Sequence, residues 1–208
     1  MNLNFSDFSA NQRYHLMTQT IIPRPIAWVL TDSSNGSFNL APFSYFTAVS
    51  SAPPILMLSV GKKPNGDSKD TLVNIINRKK MVIHIASEQH ASLVTQTAST
   101  LEHGESELTA SNIETTEFLG FSLPRLTQCD IAYGCELYEI KELGDVPQSL
   151  IFVEVKQVYI NDKVADIDVN ANGKERITVH ADRIKPLARL GGGEYATIEK
   201  PFSIARPK

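Results

Sequence analysis

A lysine, an acid and a threonine stand where a helix should open, at Ser68-Lys69-Asp70-Thr71. An apolar run ends at Val60, a loop with Gly61 and Gly66 follows, and Leu72, Ile75 and Ile76 then recur at helical spacing. A helix N-terminus offers free backbone N–H groups and a positive dipole end. Lys69 adds charge and Thr71 a hydroxyl donor, and together they suit a phosphate. The plainer alternative is an ordinary cap. Asp67 or Ser68 then closes the helix end, Asp67 and Asp70 loosely mimic a capping box, and Lys69 is solvated. Asp70 opposes an anion unless its carboxylate turns away to bond backbone or arginine.

A second cluster is Asn39-Leu-Ala-Pro-Phe-Ser-Tyr-Phe46. Strand alternation would put Phe43 and Tyr45 on one side and Ser44 and Phe46 on the other. Pro42 disrupts the strand and leaves backbone groups that must find partners. The polar edge of a flat heterocycle is one such partner, and an aromatic core corner is the alternative. Pro23-Arg24-Pro25 holds Arg24 extended before a strand, as a phosphate or carboxylate ligand or as a surface arginine in a stiff loop. Arg189 beside Gly191-Gly192-Gly193 allows close approach of a ligand, or only a turn.

Familiar catalytic signatures are absent. There is no Walker A loop, the three glycines lack dinucleotide-fingerprint spacing, and no serine sits in a nucleophile elbow. The histidines at 15, 84, 90, 103 and 180 show no zinc-protease spacing, and the cysteine pair has no metal-ligand partner at finger spacing. His84, inside Met81-Val-Ile-His-Ile-Ala86, reads as a satisfied sheet residue. No metal site is expected.

The elements that must position these residues are mostly strands. Ile26–Thr31 is a β-branched run, Asp32–Gly36 a turn with the hairpin signal Asn35-Gly36, and Ser37–Ser44 the returning strand. Pro53-Pro54 breaks the chain before the buried strand Ile55–Val60. After the helix that opens near Ser68, Met81–Ala86 is a strand and Ser87 caps a helix to about Ser99. Residues 100–124 read as a helical turn and a loop. Cys129–Leu143 and Leu150–Ile160 are long strands joined by Gly144-Asp-Val-Pro147, with Ile151, Val153 and Val155 on one face. Strands without regularly alternating helices point to a barrel with peripheral helices, not a doubly wound sheet.

Composition bounds the rest. The 208 residues are 42% hydrophobic and 21% charged, with a net charge of −3. That is globular, and it offers no footprint for nucleic acid. Met1–Gln19 contains Asp7, Arg13 and His15 and lacks signal-peptide character. The run Ile55–Val60 is far below the roughly 20 residues that span a bilayer. Six residues of unbroken strand would hold Cys129 and Cys135 about 20 Å apart, beyond disulfide reach. A reduced, cytoplasmic protein with no membrane contact is expected.

Four segments in order, RPIAWV (24–29), NLAPFSYF (39–46), PPILMLSVG (53–61) and KDTLVNI (69–75), resemble the flavin reductase-like family of FMN-binding split-barrel proteins. PLARLGGGEYA (186–196) is similar to that family's closing segment. The likeness spans about residues 13–197. It implies a mainly β, α+β fold, a six-stranded split barrel with flanking helices in a single domain over 1–208. It also implies a homodimer with FMN near the interface. It places the Phe43-Ser44-Tyr45-Phe46 backbone along the isoalloxazine, after Asn39, Ala41 and Pro42. Ser59, Val60 and Gly61 come by the ribityl chain and phosphate. Lys69, Asp70 and Thr71 come at the phosphate with Arg24 close by, and Arg189 and Tyr195 close the pocket.

The activity implied is hydride transfer from NADH or NADPH to flavin, with the cofactor carrying the chemistry and no catalytic side chain required. The alternatives are a flavoredoxin-like electron carrier and a flavin-free interaction protein on the same fold. Three positions depart from the family's pattern. Thr47 stands where many relatives carry asparagine, and Glu194 where an aromatic or small residue is common. Thr178-Val-His180-Ala offers only His180 in place of a nicotinamide-contacting Gly-Asp-His.

Overall fold

A computed structural model of the chain describes residues 1–33, 35–99, 101, 105–170, 172–205 and 207. His103, and parts of the 32–36 turn and the 100–124 segment, lie outside the described residues. The chain opens with helix α1 (Ala10–Thr20) and short strand β1 (Arg24–Pro25). Strands β2 (Ala27–Asp32), β3 (Phe38–Phe43), β4 (Phe46–Ser51) and β5 (Pro54–Val60) follow. Helix α2 (Asp70–Arg78), β6 (Lys80–Ile85), α3 (Ala91–Gln96) and α4 (Glu107–Ala110) come next. Short strands β7 (Thr115–Thr116) and β8 (Arg125–Leu126) precede the long hairpin β9 (Ile131–Leu143) and β10 (Gln148–Ile160). A second hairpin, β11 (Ala165–Val169) and β12 (Glu175–Val179), leads to α5 (Ala181–Ile184), β13 (Ala188–Arg189) and β14 (Tyr195–Ala196).

The main sheet is antiparallel, with strand order β3-β2-β6-β9-β10-β5-β4. It has seven strands where the resemblance implied six. Laid flat, its two edges would be about 29 Å apart, at about 4.8 Å per strand. Yet the edge strands β3 and β4 are joined by Ser44 and Tyr45 alone, and the step from Phe43 to Phe46 spans at most about 11 Å. The sheet must therefore curl until its edges approach, which makes a split barrel. The Ser59 N–H donates to the Tyr45 carbonyl at 2.9 Å and pins the crossing. Pro42, which cannot donate to a ladder, sits on edge strand β3 opposite Trp28.

Alternation then sorts the core. Ala27, Val29, Met81, Ile83, Cys135, Ile151 and Val153 face one way and enclose Leu72 and Ile75 of α2. Trp28, Leu30, Val82 and Ala132 face the other way, under Leu108, Phe118 and Leu126. The two cysteines are free and lie in different clusters. Cys129 precedes β9, so the pair does not share a strand as expected.

Phe43 and Phe46 both pack on the inner cluster. Strict alternation predicted opposite sides. It fails because β3 ends at Phe43 and the chain turns before β4 begins. Ile76 is also exposed, although it was expected on the buried face of α2. The helix after Ser87 is shorter than expected, a 3-10 turn followed by α3, which ends at Gln96.

His84 is fully buried in the sheet and satisfied, as the sequence suggested. Its Nδ1 lies 3.0 Å from the Trp28 carbonyl oxygen, and the Leu126 N–H donates to Nε2 at 2.9 Å. One nitrogen must donate and the other accept, which only the neutral ring does. Burial lowers its pKa to about 3, helped by the nearby Arg125 charge and opposed by the Trp28 carbonyl. The unfolded chain thus binds the extra proton first. The stability from neutral His84 is present above about pH 6.5 and is lost as pH falls toward 3. At pH 5 the loss should be about 2 kcal/mol relative to pH 7. Urea melts of the wild type and His84→Gln at both pH values check this. The variant should lose correspondingly less, and equal losses would refute the assignment.

Candidate functional site

The N-terminal end of α2, the end of β5 and the β3–β4 break surround a cavity of about 640 Å³. That is within the range of small-molecule and cofactor sites, about 300–1,000 Å³. Pro42, Phe43, Ser44 and Tyr45 form one wall, and Ser59 and Gly61 continue it along β5. Lys62, Lys63 and Lys69 form the basic end. A smaller recess of about 80 Å³ adjoins it through Pro42, Lys63 and Lys69 and adds Asn39, Ala41, Asp70, Thr71 and Glu107.

The basic end is built by local chemistry. Lys69, not Asp67 or Ser68, occupies the N-cap of α2, and its side chain makes no capping hydrogen bond. Its first N–H groups have no intrahelical partners, as in any helix. Ser68 instead accepts from Lys62 Nζ at 3.2 Å, and Asp67 bonds Asn65 at 2.7 Å. Lys69 Nζ lies 5.4 Å from the centre of the Phe43 ring, and burial lowers its pKa. Among the described residues no carboxylate pairs with it. Asp70 does turn away, toward Lys63 Nζ at 2.8 Å, which removes its objection to an anion. Asn39 Nδ2 donates to Thr71 Oγ1 at 3.0 Å, which leaves the buried Thr71 proton to be donated elsewhere.

Other expected site residues fall outside both cavities. Arg24 is not a surface arginine: it is 6% exposed, and its guanidinium is spent on protein. It donates to the carbonyls of Thr18, of Ile21 at 2.8 Å and of Leu190 at 2.7 Å. Its Nε lies 3.5 Å from Ser44 Oγ. It therefore ties α1 and the Leu190 segment to the cavity wall, with four of its five N–H groups turned to protein. The Val60 and Phe46 side chains belong to the core. Arg189 lies in the small β1-β13-β14 sheet, 4.5 Å over the Tyr195 ring, and donates to the Gly192 carbonyl. The Tyr195 hydroxyl lies 3.0 Å from Thr95 Oγ1. Neither closes this cavity within one chain.

Six lining residues were not anticipated: Tyr14, Met17, Lys62, Lys63, Val146 and Gln148. Tyr14 and Met17 come from α1, whose signal was readable. Ser9 and Gln12 form its capping box, the Ser-x-x-Gln pattern of a helix start. Lys62 and Lys63 directly follow Gly61, so a basic loop was visible. Gln148 had no local signal. It reaches the site because β10 pairs with β5, and a Cβ on Gly61 would sit 3.0 Å from its Oε1.

A flat aromatic ring with a phosphate tail fits these groups. The lysines and the N-terminal end of α2 stand at one side, and Tyr14, Met17, Pro42, Phe43 and Tyr45 supply apolar and aromatic surface. The Tyr45 hydroxyl is hidden from solvent and has no hydrogen-bond partner among the described residues. No cluster of possible metal ligands occurs among the described residues. No helix among them is long and apolar enough to cross a membrane.

Comparison with known proteins gives the same direction. Residues 17–178 match the flavin reductase like domain. The chain is 34% identical over 203 residues to the Bacillus subtilis protein YwrF, covering 96% of this chain and 95% of that one. It is similar to the solved structure of nitrilotriacetate monooxygenase component B from Bacillus cereus, at 30% identity and a TM-score of 0.85, covering 98% of each chain. It is also similar to 2-nitrobenzoate 2-nitroreductase NbaA from Pseudomonas fluorescens, at 29% identity and a TM-score of 0.85, covering 100% of this chain and 96% of that one.

Proposed function

The chain belongs to the flavin reductase-like family, and on that premise we propose that it is an FMN-dependent oxidoreductase that takes a hydride from NADH or NADPH. The observation that carries the reading is Lys69, a partly buried cation with no carboxylate partner among the described residues, at the N-cap of α2 and opening into the 640 Å³ cavity. Bound FMN would supply the two-electron chemistry. The protein's own part is to bind and orient. Lys69, Thr71 and the first turn of α2 hold the phosphate. Lys63 neutralises Asp70 so that the site stays positive. The 43–46 segment and Tyr14 flank the ring and exclude water from it. No side chain in the cavity is needed as nucleophile or general acid. The similarity to a monooxygenase component and to a nitroreductase supports redox use of the site.

A second reading, an electron carrier with no nicotinamide site, draws on His180. That residue is the one offered toward nicotinamide, yet its Nε2 lies 2.7 Å from Asp166 Oδ2, and it lines neither cavity. Purified protein decides between the readings. A yellow protein bleached anaerobically by either nicotinamide is expected. A yellow protein that neither bleaches is the carrier. A colourless protein that takes up no FMN at micromolar concentration overturns both.

We further read the chain as one domain that pairs with a second copy. Ile167 and Ile177 face each other across β11–β12, and both they and Val169 are exposed. A second copy would cover this apolar face. Sedimentation should give a particle of twice 23.0 kDa, and a monomer at micromolar concentration would reject the pairing.

A further inference from the structure

The recess of about 80 Å³ that holds Lys69 and Thr71 is also lined by Glu107, a carboxylate that phosphate binding leaves without a task. Glu107 is 7% exposed and opens helix α4. Ser106 Oγ donates to the Phe38 carbonyl at 2.5 Å, and the Leu40 N–H donates to Glu107 Oε2 at 2.9 Å. These bonds seat the start of α4 on edge strand β3, so the carboxylate cannot swing away from the recess. One oxygen serves the edge of the sheet, and Oε1 is left for an occupant. Three charged groups face Glu107 among the described residues. Lys63 is held by Asp70 at 2.8 Å and acts on Glu107 only from farther off, Asp70 opposes its charge, and Lys69 shares the recess. Strand β3 and the segment after α3 bring no titratable side chain to it. Burial first, and then Asp70, hold the Glu107 pKa above the ordinary carboxylate value, against the Leu40 N–H, its own N–H and Lys63.

A phosphate monoester is mostly a dianion above its second pKa of about 6. In a space this small, a phosphate bonded to Lys69 and Thr71 also meets Glu107. A carboxylate and a dianion repel at that contact, whereas a carboxyl O–H donating to a phosphate oxygen is a strong, charge-assisted hydrogen bond. We propose that Glu107 Oε1 and the ligand phosphate share one proton, so that binding of the phosphate ester takes up a proton from solution. The proton held at Oε1 is donated toward a phosphate oxygen, and no bond to phosphorus forms or breaks. Glu107 is thus a specificity-determining residue that makes FMN affinity depend on pH in the neutral range. The inference rests on the reading of this cavity as the flavin site.

Titration calorimetry in buffers of different ionisation enthalpy counts the proton. Between about pH 7 and 8 the wild type should take up about one proton per FMN and none per riboflavin. Its FMN affinity should fall by up to about tenfold per pH unit over that range, and its riboflavin affinity should stay level. Glu107→Gln keeps an acceptor for the Leu40 N–H and offers the phosphate a permanent N–H donor. It should bind FMN without proton uptake and with level affinity over the same range, which a purely structural role would not produce. Lys69→Met should still take up the proton at its lower affinity, so this dependence is separate from the loss of lysine charge at alkaline pH. FMN binding to the wild type without proton uptake overturns the inference and leaves the flavin reading standing. Undiminished uptake in Glu107→Gln does the same. If that variant does not fold, the wild-type counts still decide, because equal uptake with FMN and riboflavin also refutes a proton held at the phosphate. If the wild type binds neither ligand, the flavin reading fails and the inference falls with it.

Discussion

Lys69→Met weakens FMN binding by one to two orders of magnitude in fluorescence titration, while the ligand-free protein remains at least as stable as the wild type. The first half follows from a charge-assisted hydrogen bond to phosphate, worth about 1.5–3 kcal/mol, or roughly 10- to 100-fold in affinity. The neighbouring lysines do not make up the loss. Lys63 is held by Asp70, and Lys62 donates to Ser68. The second half follows from burial. Lys69 is desolvated with no carboxylate beside it among the described residues, so the charge costs the empty protein something and methionine relieves it. Riboflavin, which lacks the phosphate, binds both proteins alike. Alkaline pH provides an independent check. Burial puts the Lys69 pKa below the ordinary 10.5, so the cation is lost at lower pH than a solvated lysine. FMN affinity should decline as pH rises through that lowered value, and in Lys69→Met the decline should vanish. Wild-type affinity in the variant would reject the phosphate assignment.

What the sequence revealed of this site was its local part. The apolar run into Gly61, the helix opening at Lys69 and the aromatic 43–46 cluster are short-range patterns, and they come together around one cavity. What stayed hidden depends on contacts between distant segments. Strand β4 is exposed on nearly every residue, so it carries no apolar alternation to announce it. The missing break between β3 and β4 then inverted the expected side of Phe46 relative to Phe43. In the sequence Asp70 opposes an anion, and it is Lys63, seven residues back, that holds its carboxylate. Gln148 enters only through strand pairing, and Arg24 found its partners as far away as Leu190. Periodicity reports which face is buried. It does not report which distant carbonyl a buried charge will meet.

Arg24 shows that difference most clearly, and its replacement tests it. Arg24→Met should destabilise the protein by about 3–5 kcal/mol, the scale for breaking a buried charged network. Helix α1 ends with carbonyls that nothing inside the helix can satisfy. Arg24 answers those of Thr18 and Ile21, and a cation at that end also suits the helix dipole. The same guanidinium reaches the Leu190 carbonyl and Ser44, so one side chain sets the helix, the glycine segment and the cavity wall relative to each other. Lysine should restore little, because a single ammonium cannot reproduce the planar fork. For a chain of this size the loss is a fall in Tm of about 10 °C, read by calorimetry. Flavin affinity should fall as well, because Tyr14, Met17 and Ser44 would lose their fixed placement. It should fall by the same factor for FMN and riboflavin. This sets Arg24→Met apart from Lys69→Met, where only the phosphate ester suffers. A variant of Arg24 with wild-type Tm that loses FMN but keeps riboflavin would return this residue to the phosphate, and the structural role argued for it would fall.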